Sequence, residues 1–74
     1  MAALHGGQSH DAAARFTRFI EQHPHDARAE DAAYMRVRAL REAGDEVGMK
    51  AAAQSYLERY PGGFRRAEVE GLLR

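Results

Sequence analysis

Apolar residues recur along the chain at spacings of three and four, which is the spacing of one face of an α-helix. Ala12, Phe16 and Phe19 follow this spacing in the first such segment, and Ala33, Val37 and Leu40 follow it in the second. Glycine or proline separates the segments, and both residues commonly end helices. The pattern predicts four helices, at about residues 9–22, 27–43, 46–59 and 64–73, with the first break at Gly6-Gly7.

Strand signals are missing from the pattern. The chain has three Val, one Ile and one Thr, and no segment alternates apolar and polar residues as a half-buried strand does. The sequence therefore predicts an all-α fold. With 74 residues there is room for one small domain, or for part of a larger one.

The turns and helices repeat when the chain is shifted by 37 residues. Gly7 then falls on Gly44, and Pro24 falls on Pro61. Phe19-Ile20 falls on Tyr56-Leu57. A period of this length with a helix–turn–helix in each unit is typical of helical solenoids. The prediction is a solenoid fragment of antiparallel helix-turn-helix units, about two repeats long.

Three stretches resemble a known family. Ala32-x-Tyr34, Gly44-Asp45 and the run Tyr56-Leu57-Glu58-Arg59-Tyr60-Pro61-Gly62 look like the tetratricopeptide repeat variant of bacterial cell-envelope proteins. Those proteins include the periplasmic protein of the Tol–Pal system and the outer-membrane assembly lipoprotein. The resemblance implies a right-handed solenoid and a non-catalytic unit that binds another protein or a peptide.

The register of that family also implies where the units begin. Ala2-Ala3-Leu4 would end one first-type helix, and the residues from Phe64 onward would form a final first-type helix. We therefore expect an excised piece or a C-terminal remnant of a larger protein. Val37, Arg36 and Ala53 depart from the family pattern, which predicts a loosely packed second repeat.

Charge and composition narrow the function further. Eleven basic residues balance eleven acidic ones, whereas a nucleic-acid binder usually carries a positive excess. No stretch approaches the roughly 20 apolar residues that cross a bilayer, so no membrane insertion is expected. The first seven residues lack the features of a signal peptide. The preference for Arg over Lys and the abundance of Ala indicate a bacterial, GC-rich genome.

No constellation of residues predicts catalysis, a metal or a cofactor. The histidines His5, His10, His23 and His25 do not have the spacing of zinc ligands, and no cysteine is present. Acidic pairs such as Glu30/Asp31 and Glu68/Glu70 lie among arginines on faces that should be solvated. The hydroxyl residues form no nucleophile elbow. The sequence predicts no enzyme.

Two surfaces are candidates for contact with other chains. The resemblance places a partner-binding groove on the second helix, at Asp31, Tyr34, Arg38, Arg41 and Glu42, and helical geometry puts Asp31, Arg38 and Glu42 on one face. The alternative is an ordinary solvated face with pairs such as Arg38/Glu42. A self-association face is predicted at the apolar end of the chain, at Phe64, Val69, Leu72 and Leu73.

The sequence leaves two functions open. The first is a protein–protein interaction module that uses the groove. The second is a self-associating spacer or capping segment of an envelope or regulatory protein, which would form a homodimer and would use no groove. The resemblance points to the periplasm or cell envelope, and a cytoplasmic location is the alternative.

Overall fold

The computed structural model describes residues 2–74, with side chains described from residue 8 onward. This part of the chain forms α1 (Ala2–Gln22), α2 (Ala27–Glu42), α3 (Glu46–Arg59) and α4 (Arg66–Leu72). The described residues contain no strand, so the predicted all-α class is confirmed. Each helix packs mainly on its neighbours in sequence, α1 on α2, α2 on α3 and α3 on α4. This order is that of a helical repeat array.

The first helix begins earlier than the sequence predicted. It starts at Ala2 and runs through Gly6-Gly7, so the predicted break there and the predicted start at residue 9 are wrong. Ala2-Ala3-Leu4 belong to this helix and not to a preceding one. Glycine costs a helix about 1 kcal/mol relative to alanine, but it keeps its N–H and so leaves the hydrogen-bond ladder continuous.

Side-chain caps set the starts of α2 and α3. The Asp26 carboxylate accepts a hydrogen bond from the backbone N–H of Arg28 at 2.9 Å. The Asp45 carboxylate accepts one from the N–H of Gly48 at 2.8 Å. Each bond satisfies one N–H that the first turn of a helix leaves without a partner.

A left-handed glycine ends α2 and turns the chain into α3. Gly44 has φ +76°, and it follows the last helical turn directly. The N–H of Gly44 donates to the carbonyl of Arg41 at 3.0 Å, and the N–H of Asp45 donates to that of Leu40 at 3.0 Å. This pair of bonds is the Schellman motif, which closes helices at a residue that tolerates positive φ.

The last helix is shorter than predicted. It spans Arg66–Leu72, whereas the pattern predicted residues 64–73. The N–H of Phe64 donates to Glu30 Oε2 at 3.1 Å, and the N–H of Arg65 donates to the Tyr56 hydroxyl at 3.1 Å. Both residues lie in the turn before the helix, where these two bonds connect the backbone to α2 and α3.

The core is one cluster that draws on all four helices, from Ile20 on α1 to Val69 on α4. Val37 and Ala53, two of the positions that depart from the family pattern, both have no exposed surface within it. Both departures from the family pattern are thus accommodated inside the core. The loose packing predicted for the second repeat stays a prediction.

Candidate functional site

A ridge of charged side chains runs along the outer face of α2. Asp31, Arg38 and Glu42 are all exposed there, as is Arg41 beside them. Within residues 8–74 none of these four makes a hydrogen bond or ion pair, and the pair anticipated between Arg38 and Glu42 does not form. Their charged ends are therefore free to meet a partner without breaking a contact of the fold.

Tyr34 has a different position from the rest of the predicted groove. Only 8% of its surface is exposed, because α4 covers it. Its hydroxyl donates a 2.8 Å hydrogen bond to Glu68 Oε2, and the guanidinium of Arg65 lies 4.8 Å from its ring centroid. Tyr34 thus connects α2 to α4. Its assignment to an exposed groove is wrong.

The contacts of Tyr34 fix the charges of the neighbouring groups. The hydrogen bond to Glu68 raises the pKa of Tyr34, and the same bond lowers the pKa of Glu68, which Arg65 lowers further. The charge of Arg38 on the ridge also lowers the pKa of Glu68. Glu68 is therefore held as a carboxylate next to the ridge at neutral pH.

An apolar groove lies on the other side of the ridge, between α1 and α2. Its volume is about 430 Å³, and Phe16, Phe19 and Met35 line its floor. Met35 is 41% exposed, which is unusual for a large apolar side chain on a packed helix. Phe16 and Met35 also line an adjoining hollow that ends at Arg38. The groove and the ridge thus form one continuous surface.

Charged groups surround the apolar floor. Arg15, Arg28, Arg65 and Asp31 line the groove with it. The guanidinium of Arg28 pairs with Asp26 at 3.1 Å and lies 5.5 Å from the ring centroid of Phe19. The surface therefore offers an apolar strip with a mostly basic border.

Sequence reasoning missed this groove. Phe16 lies on the apolar face of the first helix with Ala12 and Phe19, and Met35 lies on a second apolar stripe of α2 with Ala32 and Ala39. Both residues do lie on apolar stripes, but periodicity shows only that a face is apolar and not whether another helix covers it. A signal was available in the repeat itself. Arg65 and Glu68 follow Arg28 and Asp31 by 37 residues, so the two pairs occupy equivalent positions.

The two equivalent pairs have different surroundings. Arg65 and Glu68 hold the Tyr34 side chain, by ring contact and by hydrogen bond. Arg28 and Asp31 are exposed and border the apolar groove. One repeat earlier, the same pair of chemical groups is therefore presented to solvent.

The predicted self-association face is only partly at the surface. Val69 has no exposed surface, so its inclusion in that face is wrong: its side chain belongs to the core that α4 closes. Leu72 and Leu73 are partly buried against the same cluster, and Phe64 is 72% exposed. The apolar area at this end is smaller than the sequence predicted because α4 turns its apolar side inward.

The described side chains show no arrangement for metal chemistry. No three His, Asp or Glu groups among them are placed to hold an ion. His10 Nε2 lies 3.2 Å from Asp45 Oδ2, and the ring of His23 packs 5.0 Å from that of Phe19. The side chain of His5 lies outside the described part. In the range searched, no helix has the length and hydropathy to span a bilayer.

Comparison with known proteins identifies the repeat. The family model of the tetratricopeptide repeat matches residues 1–26 and 31–63, which is more than half of the chain. Neither the curated proteins nor the solved structures gave a significant match. The second stretch includes residues 38–63, which are the counterparts of residues 1–26 at the 37-residue shift. The chain belongs to the tetratricopeptide repeat family.

Proposed function

We propose that this chain is a non-catalytic protein-binding module whose partner lies along the exposed face of α2. Tetratricopeptide repeats generally mediate protein–protein interaction. The observation that carries the proposal is the continuous surface in which the charged ridge of Asp31, Arg38 and Glu42 adjoins the apolar groove at Phe16 and Met35.

The partner that this surface fits is an amphipathic helix. Its apolar side chains would fill the groove between α1 and α2, which buries the exposed part of Met35. Arg28 and Asp31 stand where Arg65 and Glu68 stand one repeat later, and that later pair holds a tyrosine of a helix. We therefore expect the partner helix to carry an aromatic residue, preferably Tyr, that meets Asp31 and Arg28.

Charge supports the same orientation. Three arginines border the groove against a single aspartate, so acidic residues on the flanks of the partner helix would be favoured. Arg38 has no ion pair of its own within the described residues and can receive one such carboxylate. A guanidinium and a carboxylate form a charge-assisted, often bidentate, pair.

A displayed library of amphipathic helices tests the proposal. Helices selected on the wild-type protein should lose at least tenfold in affinity on Met35→Glu, because the new carboxylate puts a charge into the apolar groove. Arg38→Ala should weaken the acidic binders by a smaller factor. Fluorescence anisotropy of labelled peptides gives both numbers.

Val47→Glu is the matched control. Val47 is 83% exposed on α3, so the same change from apolar to acidic is made outside the groove. Selected helices should bind this variant as they bind the wild type. Binding that Met35→Glu leaves unchanged would contradict the proposal.

The spacer function is the second candidate, and one observation supports it. Phe64 is a large aromatic residue with 72% of its surface exposed, and Leu72 and Leu73 at the end of α4 are only partly buried. Light scattering across a range of concentrations tests it. A dimer that dissociates on Phe64→Ser would support self-association. A monomer at all concentrations would contradict the spacer function and leave the interaction module as the remaining candidate.

The finer identity of the repeat is also a proposal. We infer a bacterial envelope protein from the run Tyr56 to Gly62, which resembles the repeats of the Tol–Pal periplasmic protein and the outer-membrane assembly lipoprotein. We also propose no contact with nucleic acid, since the basic and acidic residues balance. Fractionation of bacterial cells that express this protein tests the envelope location. A gel-shift assay tests the prediction on nucleic acid.

A further inference from the structure

Arg36 lies on the side of α2 away from the ridge, between α1 and α3. It is partly buried, and this burial lowers the pKa of its guanidinium. Nη1 donates a 3.3 Å hydrogen bond to the hydroxyl of Thr17. Nε is buried and has no partner, and no carboxylate of the described residues forms an ion pair with the group.

A cavity of about 210 Å³ lies beside this side chain. Glu21 of α1 lines it, together with Ser55, Arg59 and Tyr60 from α3 and its end. The Tyr60 hydroxyl is a second buried polar group without a hydrogen-bond partner. Buried donors are nearly always satisfied in folded proteins, so two orphans around one cavity indicate a missing acceptor.

We propose that this cavity binds a carboxylate group. Two arginines and one glutamate line it, which leaves a formal charge of one positive unit to be balanced by a monoanion. The Nη1 group of Arg36 is engaged by Thr17, whereas the edge formed by Nε and Nη2 has no acceptor. That edge of a guanidinium matches the two oxygens of a carboxylate.

The hydroxyl groups complete the fit. Tyr60 can donate to a carboxylate oxygen, and Ser55 offers a further O–H in the same cavity. A phosphate would bring nearly two negative charges to a site with one net positive charge that also holds Glu21. The balance of charge therefore favours a carboxylate.

This site is independent of the proposed protein-binding surface. Arg36 lines neither the apolar groove at Met35 nor the ridge, so either surface can fail its test without affecting the other. A partly buried guanidinium without an ion pair does little for stability, since removal from water is not repaid. A ligand that supplies the missing charge gives the residue a function.

Nuclear magnetic resonance of ¹⁵N-labelled protein tests the proposal with sodium acetate as probe. Acetate at constant ionic strength should shift the Nε–Hε resonance of Arg36 and the amides near Ser55 and Tyr60, with saturation in the millimolar range. Sodium chloride should give no such shift. N-acetylglycine, which resembles the C-terminus of a peptide, is titrated in the same way as acetate. Tighter binding of N-acetylglycine would indicate a chain terminus as the ligand, and saturable binding of either compound supports the site.

Variants define the residues involved. Arg36→Leu should weaken acetate binding at least tenfold, and Tyr60→Phe should weaken it about three- to tenfold through loss of one hydrogen bond. Arg66→Leu removes an exposed guanidinium from α4, outside the cavity, and should leave acetate binding unchanged. If Arg36→Leu fails to fold, the acetate affinity of Tyr60→Phe still tests the site.

Three results would overturn the inference. The first is an Arg36 resonance that acetate does not move, which would leave water as the only occupant of the cavity. The second is equal binding by wild type and Tyr60→Phe. The third is saturable binding of inorganic phosphate under conditions in which acetate does not bind, since it would contradict the assignment to a carboxylate.

Discussion

The hydroxyl of Tyr56 donates a 2.7 Å hydrogen bond to Oε2 of Glu30, and this contact joins α3 to α2. The same hydroxyl accepts the N–H of Arg65 at 3.1 Å, while the same carboxylate oxygen accepts the N–H of Phe64 at 3.1 Å. Tyr56 and Glu30 thus hold the turn that leads into α4. The Tyr34 contact to Glu68 then depends on this turn, because it needs α4 in place.

Removal of the Tyr56 hydroxyl should therefore destabilise the fold more than the loss of a single surface hydrogen bond would. Tyr56→Phe leaves the N–H of Arg65 without its acceptor, and it leaves Glu30 Oε2 with the N–H of Phe64 as its remaining donor. A hydrogen bond to a charged group contributes about 1.5–3 kcal/mol, and we expect a loss of that size in the free energy of unfolding. Urea denaturation followed by circular dichroism gives the value. A loss below about 0.5 kcal/mol would show that the hydroxyl does not hold the turn.

The same tyrosine should make the fold sensitive to alkali. Burial, and then the bond to Glu30, raise the pKa of Tyr56 to about 12. An unfolded tyrosine titrates near 10, so the stabilisation is complete below about pH 10 and is lost as the pH rises towards 12. Urea midpoints measured at intervals from pH 9 upward should fall across this range for the wild type. Tyr56→Phe should give a shallower fall, and equal slopes would contradict the prediction.

Gly63 supports this network by leaving room for it. A Cβ at this position would lie 2.6 Å from both the Tyr56 hydroxyl and Glu30 Oε2. Gly63→Ala should therefore cost about 1–3 kcal/mol, as overpacking of a formed site does. Gly62→Ala is the matched control, since no atom lies within 4 Å of its Cβ, and it should be neutral or slightly stabilising.

A double-variant cycle separates this clash from a general effect of the turn. With the hydroxyl gone in Tyr56→Phe, part of the obstacle to a Cβ at residue 63 is gone too. The combined variant should then lose less stability than the sum of the two single losses. Additive losses in thermal or urea unfolding would mean that Gly63 acts on something other than Tyr56.

The helices and their order could be predicted from sequence because each signal is local. Asp26 and Asp45 precede apolar stripes as caps do, and Gly44 follows one as a helix end does. The start of α1 could not be predicted in this way. Two adjacent glycines also occur at helix ends, and only the energy of the whole helix decides whether it continues through them.

The candidate site was predicted less well, because it depends on which faces meet. Periodicity placed Asp31, Arg38 and Glu42 on one exposed face of α2, and the structure places them there. It could not show that α4 covers Tyr34, since the contact to Glu68 spans 34 residues. Nor could it separate Met35, which is exposed, from Ala32, which shares its stripe and is buried. That difference depends on tertiary packing.

Two further glycines give substitutions of opposite sign. Neither Gly44 nor Gly71 has an atom within 4 Å of a built Cβ, so neither change to alanine creates a clash. Gly44 has φ +76°, a backbone conformation that costs alanine about 1–2 kcal/mol, so Gly44→Ala should destabilise by about that much. Gly71 lies inside α4, where alanine is favoured by about 1 kcal/mol, so Gly71→Ala should stabilise.

The two variants also differ in where the effect is felt. Gly71→Ala strengthens a helix of seven residues, so hydrogen exchange should slow first at the amides of α4. Because the Tyr34–Glu68 contact requires α4, the exchange of amides around Tyr34 on α2 should slow with it. Gly44→Ala should instead speed exchange at the last turn of α2 and the first turn of α3. If amide exchange rates changed equally throughout the chain in both variants, the helices would unfold as one unit. This result would contradict the prediction that α4 unfolds separately.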